Sequence, residues 1–310
     1  MKNMRIILYI VEIVFLVQAA NTQSSSIDYF GQTPPDSIPK LFMPEAINHL
    51  AHSSPTFSTD GSEMYWSTVS GENDTRKIYF VRYENGIWSE PILAPFSGNY
   101  HDDQPFISYD GNKLFFASKR PKTPGGDENL NLWYCIKSDK EWSDPIPVNN
   151  SIGTWTPSVT RNGTLYFMDN IEDAGNRGYK YSKGIFRSVL VDGKYSYPEL
   201  LPEQINSKDF QDWCPFIAPD ESYLIFSSDR SDGFGMGDLY ISFHDVNSDT
   251  WSEPVNLGEP INTQLQERFP GVSPDGKYLF FTRWLGYSFY HDLYWVSVKI
   301  IDDLKKENEN

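Results

Sequence analysis

The amino-acid sequence predicts an all-β fold built from five copies of one four-stranded unit. Aromatic residues, which favour β-strands, make up 15% of the 310 residues. A proline-containing segment that ends in Asp-Gly or a variant of it recurs five times, and the same series of apolar and turn-forming segments follows each copy. Four strands in a unit of about 50 residues are typical of one blade of a β-propeller. We therefore expect a five-bladed β-propeller.

The first two strands of each unit are predicted by the recurring segment itself. Its copies occupy residues 54–61, 104–111, 156–163, 214–221 and 269–276. The leading prolines lie 50, 52, 58 and 55 residues apart. The Asp-Gly or Asn-Gly pair favours a two-residue turn with positive φ angles, and apolar alternation flanks it on both sides. Each unit should therefore begin with a hairpin.

The third and fourth strands follow a polar, Gly-rich loop. The third strand is predicted at residues 77–80, 131–134, 184–187, 238–241 and 292–295. The fourth is marked by Trp-Ser-Glu-Pro or Trp-Ser-Asp-Pro at residues 88–91, 142–145 and 251–254. Because these tryptophans recur once per blade, we expect them to pack between neighbouring sheets.

The fifth unit lacks a fourth strand of its own, because a charged tail follows its third strand. Residues 36–39 keep the Ser-x-Pro pattern, and Pro39 precedes Pro55 by 16 residues, as Pro254 precedes Pro270. We expect residues 37–48 to supply the missing outer strand. The four-stranded blades would then be closed into a ring by an N-terminal strand, which removes exposed sheet edges. A divergent sixth blade is the alternative.

These segments resemble the TolB-like propeller repeats, whose hallmark is a Ser-Pro-Asp-Gly hairpin, a Gly-rich loop and an Asp-Leu-Tyr strand. Residues 273–276 and 292–294 carry both motifs. The resemblance covers almost all of the chain after residue 31. It implies a periplasmic or secreted protein with a binding or scaffold role, with a minority of enzymes on similar propellers.

The N-terminus has the layout of a secretory signal peptide, with Lys2 and Arg5 before an apolar stretch and small residues at Ala19 and Ala20. The apolar stretch is shorter than the ~20 residues that span a bilayer. We expect no membrane span once the signal peptide is cleaved. Glu12 within it leaves an uncleaved anchor as the alternative. The expected divisions are a signal peptide (1–20), a linker (21–31), the propeller (32–302) and a charged tail (303–310).

Composition and missing motifs narrow the function. The net charge of −16 argues against a nucleic-acid partner, because phosphate binding requires clustered lysine and arginine. The main zinc and hydrolase signatures, His-Glu-x-x-His, Cys-x-x-Cys and Gly-x-Ser-x-Gly, are absent from the sequence. Cys135 and Cys214 fall in different blades and are expected to be buried free thiols. The sequence does not indicate an oligomeric state.

Candidate binding residues fall where the inner strands begin, at the mouth of the central channel. Three residues before each repeat proline stand His52, Asp102, Thr154, Asp212 and Glu267. Two tryptophans and three arginines are predicted on the same face: Trp155, Trp213, Arg120, Arg230 and Arg283. Arginine beside aromatic rings suits stacking on sugars or bidentate binding of a carboxylate. Pairing of the arginines with nearby acids is the alternative.

The acidic members of this ring allow three interpretations. Asp102, Asp212 and Glu267 could bind a divalent cation such as calcium, which prefers hard oxygen ligands. They could instead accept hydrogen bonds from nearby backbone amides and join one blade to the next. General acid and base catalysis on a sugar is the third interpretation.

The function expected from the sequence is that of an exported, non-catalytic propeller that binds a protein or glycan partner on its channel-mouth face. A carbohydrate-active hydrolase or lyase that uses the same carboxylates is the alternative, and a purely structural role comes third. We assign no catalytic residue. Blade three has a long insertion at residues 169–183 and Thr154 in place of an acid, so the site should draw mainly on blades two, four and five.

Overall fold

The computed structural model describes residues 27, 29–43, 47, 51–70, 75–148, 155–286 and 291–308. The predicted signal peptide and Thr154 lie outside these residues, as does most of the predicted linker. The described chain forms five antiparallel sheets of a five-bladed β-propeller, as the repeat predicts.

Each of the first three blades has four strands in chain order from the channel outwards. Blade one consists of Thr56–Phe57, Glu63–Ser70, Thr75–Glu84 and Ile92–Leu93. Blade two consists of Asp102–Ile107, Lys113–Ser118, Asn131–Ser138 and Ile146–Pro147. Blade three consists of Trp155–Val159, Leu165–Asn170, Lys183–Ser188 and Glu199–Leu200.

The last two blades complete the ring. Blade four consists of Asp212–Ile217, Tyr223–Ser228, Asp238–Asp245 and Val255–Asn256. Blade five consists of Gln266–Val272, Tyr278–Trp284, His291–Ser297 and Lys40–Leu41. Short hairpin extensions are formed at the outer edge by Ile87–Trp88, Glu141–Trp142, Leu190–Val191, Lys194–Tyr195 and Thr250–Trp251.

The N-terminal segment closes the ring, which confirms the prediction from Pro39. Lys40 lies opposite Trp295 and Leu41 lies opposite Tyr294 in an antiparallel pair. Phe42, which follows, is 2% exposed and joins the core of blades one and five. Outer and inner strands of the last blade therefore come from opposite ends of the chain.

A β-bulge interrupts the inner strand just before the repeat proline in blades two to five. The residue before the proline has a positive φ angle in each case, at Gln104 (55°), Thr156 (53°), Cys214 (54°) and Phe269 (51°). A bulge changes the direction in which the side chains around it point. It therefore helps to decide which residues face the channel.

The repeat hairpins have longer loops than the two-residue turn that the sequence predicts. In blade two, Gly111 has a φ of 73°, but Asp110 keeps a negative φ. The Asp110 carboxylate accepts hydrogen bonds from the Ser108 hydroxyl (2.5 Å) and the Asn112 amide (3.0 Å). This side chain closes a wider loop, because it takes over the acceptor role that the backbone has in a tight turn.

Two tryptophans of the Trp-Ser-Glu/Asp-Pro motif pack between blades, as predicted. The Trp142 indole in blade two donates a 2.8 Å hydrogen bond to the Tyr65 hydroxyl in blade one. Trp251 in blade four is 8% exposed and lies edge-on to Tyr166 in blade three. Cys135 is also buried in this type of interface, and both cysteines are free, as predicted.

An α-helix, Lys299–Asn308, follows the last strand and includes most of the segment interpreted from sequence as a charged tail. Ile301 is 4% exposed and packs on the core of blades four and five. Asp302 in the first turn and Lys305 and Lys306 in the last turn suit the helix dipole. Within the described chain, no helix has both the length and the apolar character that crossing a bilayer requires.

Candidate functional site

A cavity of about 340 Å³ lies at the end of the channel where the inner strands begin. All five blades contribute side chains to it. They come from the first residues of the inner strands, from the bulges and from the starts of third strands. This is the face on which the sequence predicts a binding site.

Strand alternation decides which inner-strand residues line the cavity. In blade four, Gln211 and Trp213 line it, and in blade five Gln266 and Arg268 do so. Asp212 and Glu267 lie between these residues in sequence and do not line it. Successive side chains of a strand point to opposite sides, so the predicted acidic ring lies one residue out of register with the cavity wall.

One of the cations at the cavity is already neutralised. The Arg76 guanidinium lies 2.9 Å from a carboxylate oxygen of Asp103. The same carboxylate accepts a 2.5 Å hydrogen bond from the Ser67 hydroxyl and lies 3.1 Å from Nδ1 of His52. Burial lowers the pKa of His52, against the attraction of Asp103. His52 therefore serves here as a hydrogen-bonding group.

Two further cations, Lys183 and Arg268, have no carboxylate partner among the described residues. Lys183 Nζ lies 3.5 Å from the centroid of the Trp155 ring, a cation–π contact. The Arg268 guanidinium lies over the Phe269 ring at 4.9 Å. Aromatic rings thus contact both cations, and neither cation forms an ion pair with a described carboxylate.

The two charges are close enough to affect each other. Burial lowers the pKa of Lys183, and the positive charge of Arg268 lowers it further, against the opposing effect of Asp169. An anion bound between Lys183 and Arg268 would relieve this repulsion. The cavity is therefore electrostatically suited to an anionic group, although the whole chain carries −16.

Unused hydrogen-bond donors add to this character. Nε of Arg268 and Nε1 of Trp213 are buried and have no hydrogen-bond partner in the described part of the chain. The side-chain amide of Gln211 also makes no hydrogen bond with the described residues. Buried donors without acceptors carry a desolvation cost, and the Gln211 amide is a donor that a ligand with acceptor oxygens could use.

Three acid–arginine pairs lie beside the cavity rather than in it. Each joins the acid at the start of an inner strand to an arginine near the end of the second strand of the same blade. We call them the blade clamps: Asp102–Arg120 (2.7 Å), Asp212–Arg230 (3.2 Å) and Glu267–Arg283 (2.6 Å).

Each clamp arginine also holds the chain that enters its blade. Arg120 donates to the carbonyl oxygen of Phe96, and Arg283 donates to that of Ile261. Arg230 donates to the carbonyl oxygens of residues 204 and 205. These carbonyls follow the outer strand of the preceding blade, so each clamp ties two blades together.

Burial dominates the electrostatics of the clamp acids. It raises the pKa of Asp212 to about 6, although Arg230 opposes the shift. It also raises the pKa of Asp102 and of Glu267, which are both 0% exposed. The clamps are thus internal ion pairs that exchange solvation for hydrogen bonds.

The structure divides the nine residues predicted for the binding face into two groups. Three line the cavity: His52, Trp155 and Trp213. The other six form the blade clamps. The described residues contain no group of three His, Cys, Asp or Glu side chains placed to hold a metal ion. Asp102, Asp212 and Glu267 do not fit a shared calcium site, because each belongs to a different blade and faces its own arginine.

Sequence reasoning missed Arg76, Lys183 and Arg268. Arg268 stands two residues before its repeat proline, the same position as Trp155 and Trp213. This shared repeat position is the signal that could have found it. Lys183 follows the insertion of blade three, so no repeat position predicts it. The unpaired cations come from blades three and five, whereas the sequence favoured blades two, four and five.

Comparison with family models finds no match, and comparison with curated proteins finds none either. Among solved structures, the chain is similar to an endo-arabinase from Bacteroides thetaiotaomicron at 14% identity and a TM-score of 0.53, over 86% of this chain and 97% of that one. It also resembles TolB from Acinetobacter baumannii at 16% identity and a TM-score of 0.46, over 78% of this chain. The chain spans 53% of the length of that TolB. At such identities the likeness concerns the β-propeller fold alone.

Proposed function

We propose that this chain is an exported, non-catalytic β-propeller of the TolB-like repeat type that binds a protein or glycan partner on its channel-mouth face. One observation carries the proposal. The cavity on this face offers unpaired cations, tryptophans and free donors, while the nearby carboxylates are bound by arginines. Such a surface is suited to holding a partner.

A hydrolase or lyase is the weaker proposal. Catalysis on a sugar needs two carboxyl groups within reach of the scissile bond. Asp102, Asp212 and Glu267 do not line the cavity, and Asp103 is bound by Arg76 and Ser67. The raised pKa of Asp212 is suited to a general acid, but its proton would be buried behind the cavity wall.

Export is proposed from the N-terminal pattern of the sequence, since residues 1–26 lie outside the described part of the chain. The net charge of −16 supports a soluble exported protein and disfavours nucleic acid as the partner. The TolB-like repeat type is proposed from the recurring Ser-Pro-Asp-Gly and Asp-Leu-Tyr segments.

Trp155→Ala is expected to weaken binding of a partner about tenfold, because it removes an aromatic wall of the cavity and the support of Lys183. The purified native protein is run through native gels that contain each of a panel of polysaccharides, and each is also assayed for released reducing sugar. Tyr197→Ala is the matched control, since Tyr197 is 78% exposed and lies at the outer edge of blade three.

The expected result is retardation of the native protein and of the Tyr197→Ala variant, with no sugar released. Release of sugar by the native protein that stops in Asp212→Asn or Glu267→Gln, with thermal melts showing that the variant is folded, would establish the enzyme instead. Retardation that Trp155→Ala leaves unchanged would move the binding surface away from the channel mouth.

A further inference from the structure

We propose that the channel-mouth cavity recognises an acidic sugar, a uronate unit of a glycan, whose carboxylate is bound by Lys183 and Arg268. This inference rests on the proposed function and names its ligand class. The two cations, the tryptophans and the amides of the same cavity carry it.

Neither Lys183 nor Arg268 forms an ion pair with a carboxylate of the described chain. The three clamp arginines each have a buried carboxylate and a backbone carbonyl as partners. Lys183 and Arg268 are half-buried at the same end of the propeller without a carboxylate. Desolvating an unpaired cation costs free energy, so a charge kept in a cavity favours an anionic ligand.

The two side chains line the same cavity, and each lies against an aromatic ring. Lys183 is held against Trp155 and Arg268 against Phe269. An arginine fork binds a carboxylate with two parallel hydrogen bonds, and a lysine supplies a compact charge beside it. Nε of Arg268 has no hydrogen-bond partner among the described residues.

The rest of the cavity suits a sugar ring. The cavity wall is mainly polar, with Gln211 and Gln266 offering amide groups for hydroxyls and the edges of Trp155 and Trp213 beside them. A volume of about 340 Å³ is in the range of small-molecule sites, which are roughly 300–1,000 Å³. A uronate unit, with one carboxylate and several hydroxyls, matches these groups.

Other anions fit less well. The net charge of −16 disfavours long polyanions, so a short acidic oligosaccharide is the better match. A peptide carboxyl terminus is commonly bound together with strand addition at an open sheet edge. In blades two to five, the inner strands at the cavity are paired with their second strands and packed against neighbouring inner strands.

The test is calorimetric titration of the full-length mature protein with trimers of galacturonate, glucuronate and mannuronate, each beside its methyl ester. We expect at least one acidic trimer to bind about tenfold or more tightly than its ester. Lys183→Met and Arg268→Met should each weaken binding of that acid by about tenfold to a hundredfold and leave the ester nearly unaffected. Arg268→Lys should bind the acid more tightly than Arg268→Met does, but less tightly than the native protein.

Lys140→Met is the matched control, because Lys140 is exposed in an outer hairpin turn and should leave binding unchanged. Thermal melts check folding, and neither cavity variant should lose much stability, since neither breaks an ion pair. Equal binding of acid and ester, unaffected by Arg268→Met, would overturn the inference and leave the proposed function standing. If no uronate binds, but another partner binds and Trp155→Ala weakens its binding, the inference is overturned and the proposed function stands. Tighter binding of a free peptide carboxylate than of any uronate would also overturn it.

Discussion

Arg120→Met is expected to lower the free energy of unfolding by about 3 to 5 kcal/mol at neutral pH, because it leaves the buried Asp102 carboxylate without its cation. Asp102 is 0% exposed, and Arg120 is 2.7 Å away. The substitution also removes the hydrogen bond from Arg120 to the carbonyl oxygen of Phe96. Chemical denaturation monitored by tryptophan fluorescence measures the loss.

The pH dependence identifies the cause. Burial already raises the pKa of Asp102 above its ordinary value, and loss of Arg120 raises it further. The folded variant then binds a proton more tightly than the unfolded chain, so its stability falls as pH rises through the folded pKa. The destabilisation should therefore shrink as pH is lowered from about 8 to about 5.

Arg187→Met is the matched control, because Arg187 pairs with Glu199 and Asp249, which are 62% and 53% exposed. Its cost should stay below about 1 kcal/mol. Asp102→Asn combined with Arg120→Met should recover more than half of the loss, since no buried charge remains. Equal costs for Arg120→Met and Arg187→Met, independent of pH, would contradict the clamp.

Phe42→Ala is expected to cost about 3 to 5 kcal/mol of stability, because Phe42 fills the core where the N-terminal strand closes the ring. It is 2% exposed, and its ring centroid lies 5.0 Å from that of Phe280 and 5.2 Å from that of Trp295. The loss falls on the last blade, so hydrogen exchange should rise first in residues 291–297. Exchange measured by mass spectrometry reports it blade by blade.

Ile38→Ala provides the control within the same segment. Ile38 is 68% exposed, and its loss should change stability by no more than about 0.5 kcal/mol. If Phe42→Ala were as mild as Ile38→Ala, the N-terminal strand would not be an integral part of the ring.

The fold could be predicted from the sequence because the same pattern of turn residues and apolar strands occurs five times. Each Asp-Gly or Asn-Gly pair predicts a hairpin loop, and each aromatic strand predicts a buried strand. The absence of a fourth strand after the fifth repeat predicts that the segment around Pro39 closes the ring. The spacing from Pro39 to Pro55 was enough to place Lys40–Leu41 against the last blade. Repetition turns weak local signals into a strong one.

The end of the channel that holds the cavity could be predicted, but the residues that line the cavity could not. A shift of one residue along a strand moves a side chain to the opposite side, so choosing Asp212 instead of Trp213 as the channel-facing position exchanged the cavity wall for the clamp. The bulge before each proline also changes the direction in which side chains point, and no particular residue type predicts it. Arg120, Arg230 and Arg283 pair with acids, which was the alternative left open for them.

The net charge of the chain gave no indication of the two cations at the cavity. A sum of −16 over the chain describes the surface as a whole and contains no information on where single cations lie. Lys183 is placed at the cavity by an insertion present only in blade three, and Arg268 by the alternation of one strand. The position of each side chain depends on residues that are near it in the fold but distant in the sequence.

The central claim is that the channel-mouth cavity is a binding site built around Lys183 and Arg268, separate from the clamps that hold the blades. A crystal structure of the protein with the tightest-binding uronate trimer tests it most directly. The account predicts a sugar carboxylate within hydrogen-bond distance of Lys183 Nζ and of the Arg268 guanidinium, with the Asp212–Arg230 clamp unbroken. A trimer bound on another surface, or bound through Asp212 and Glu267, would contradict it.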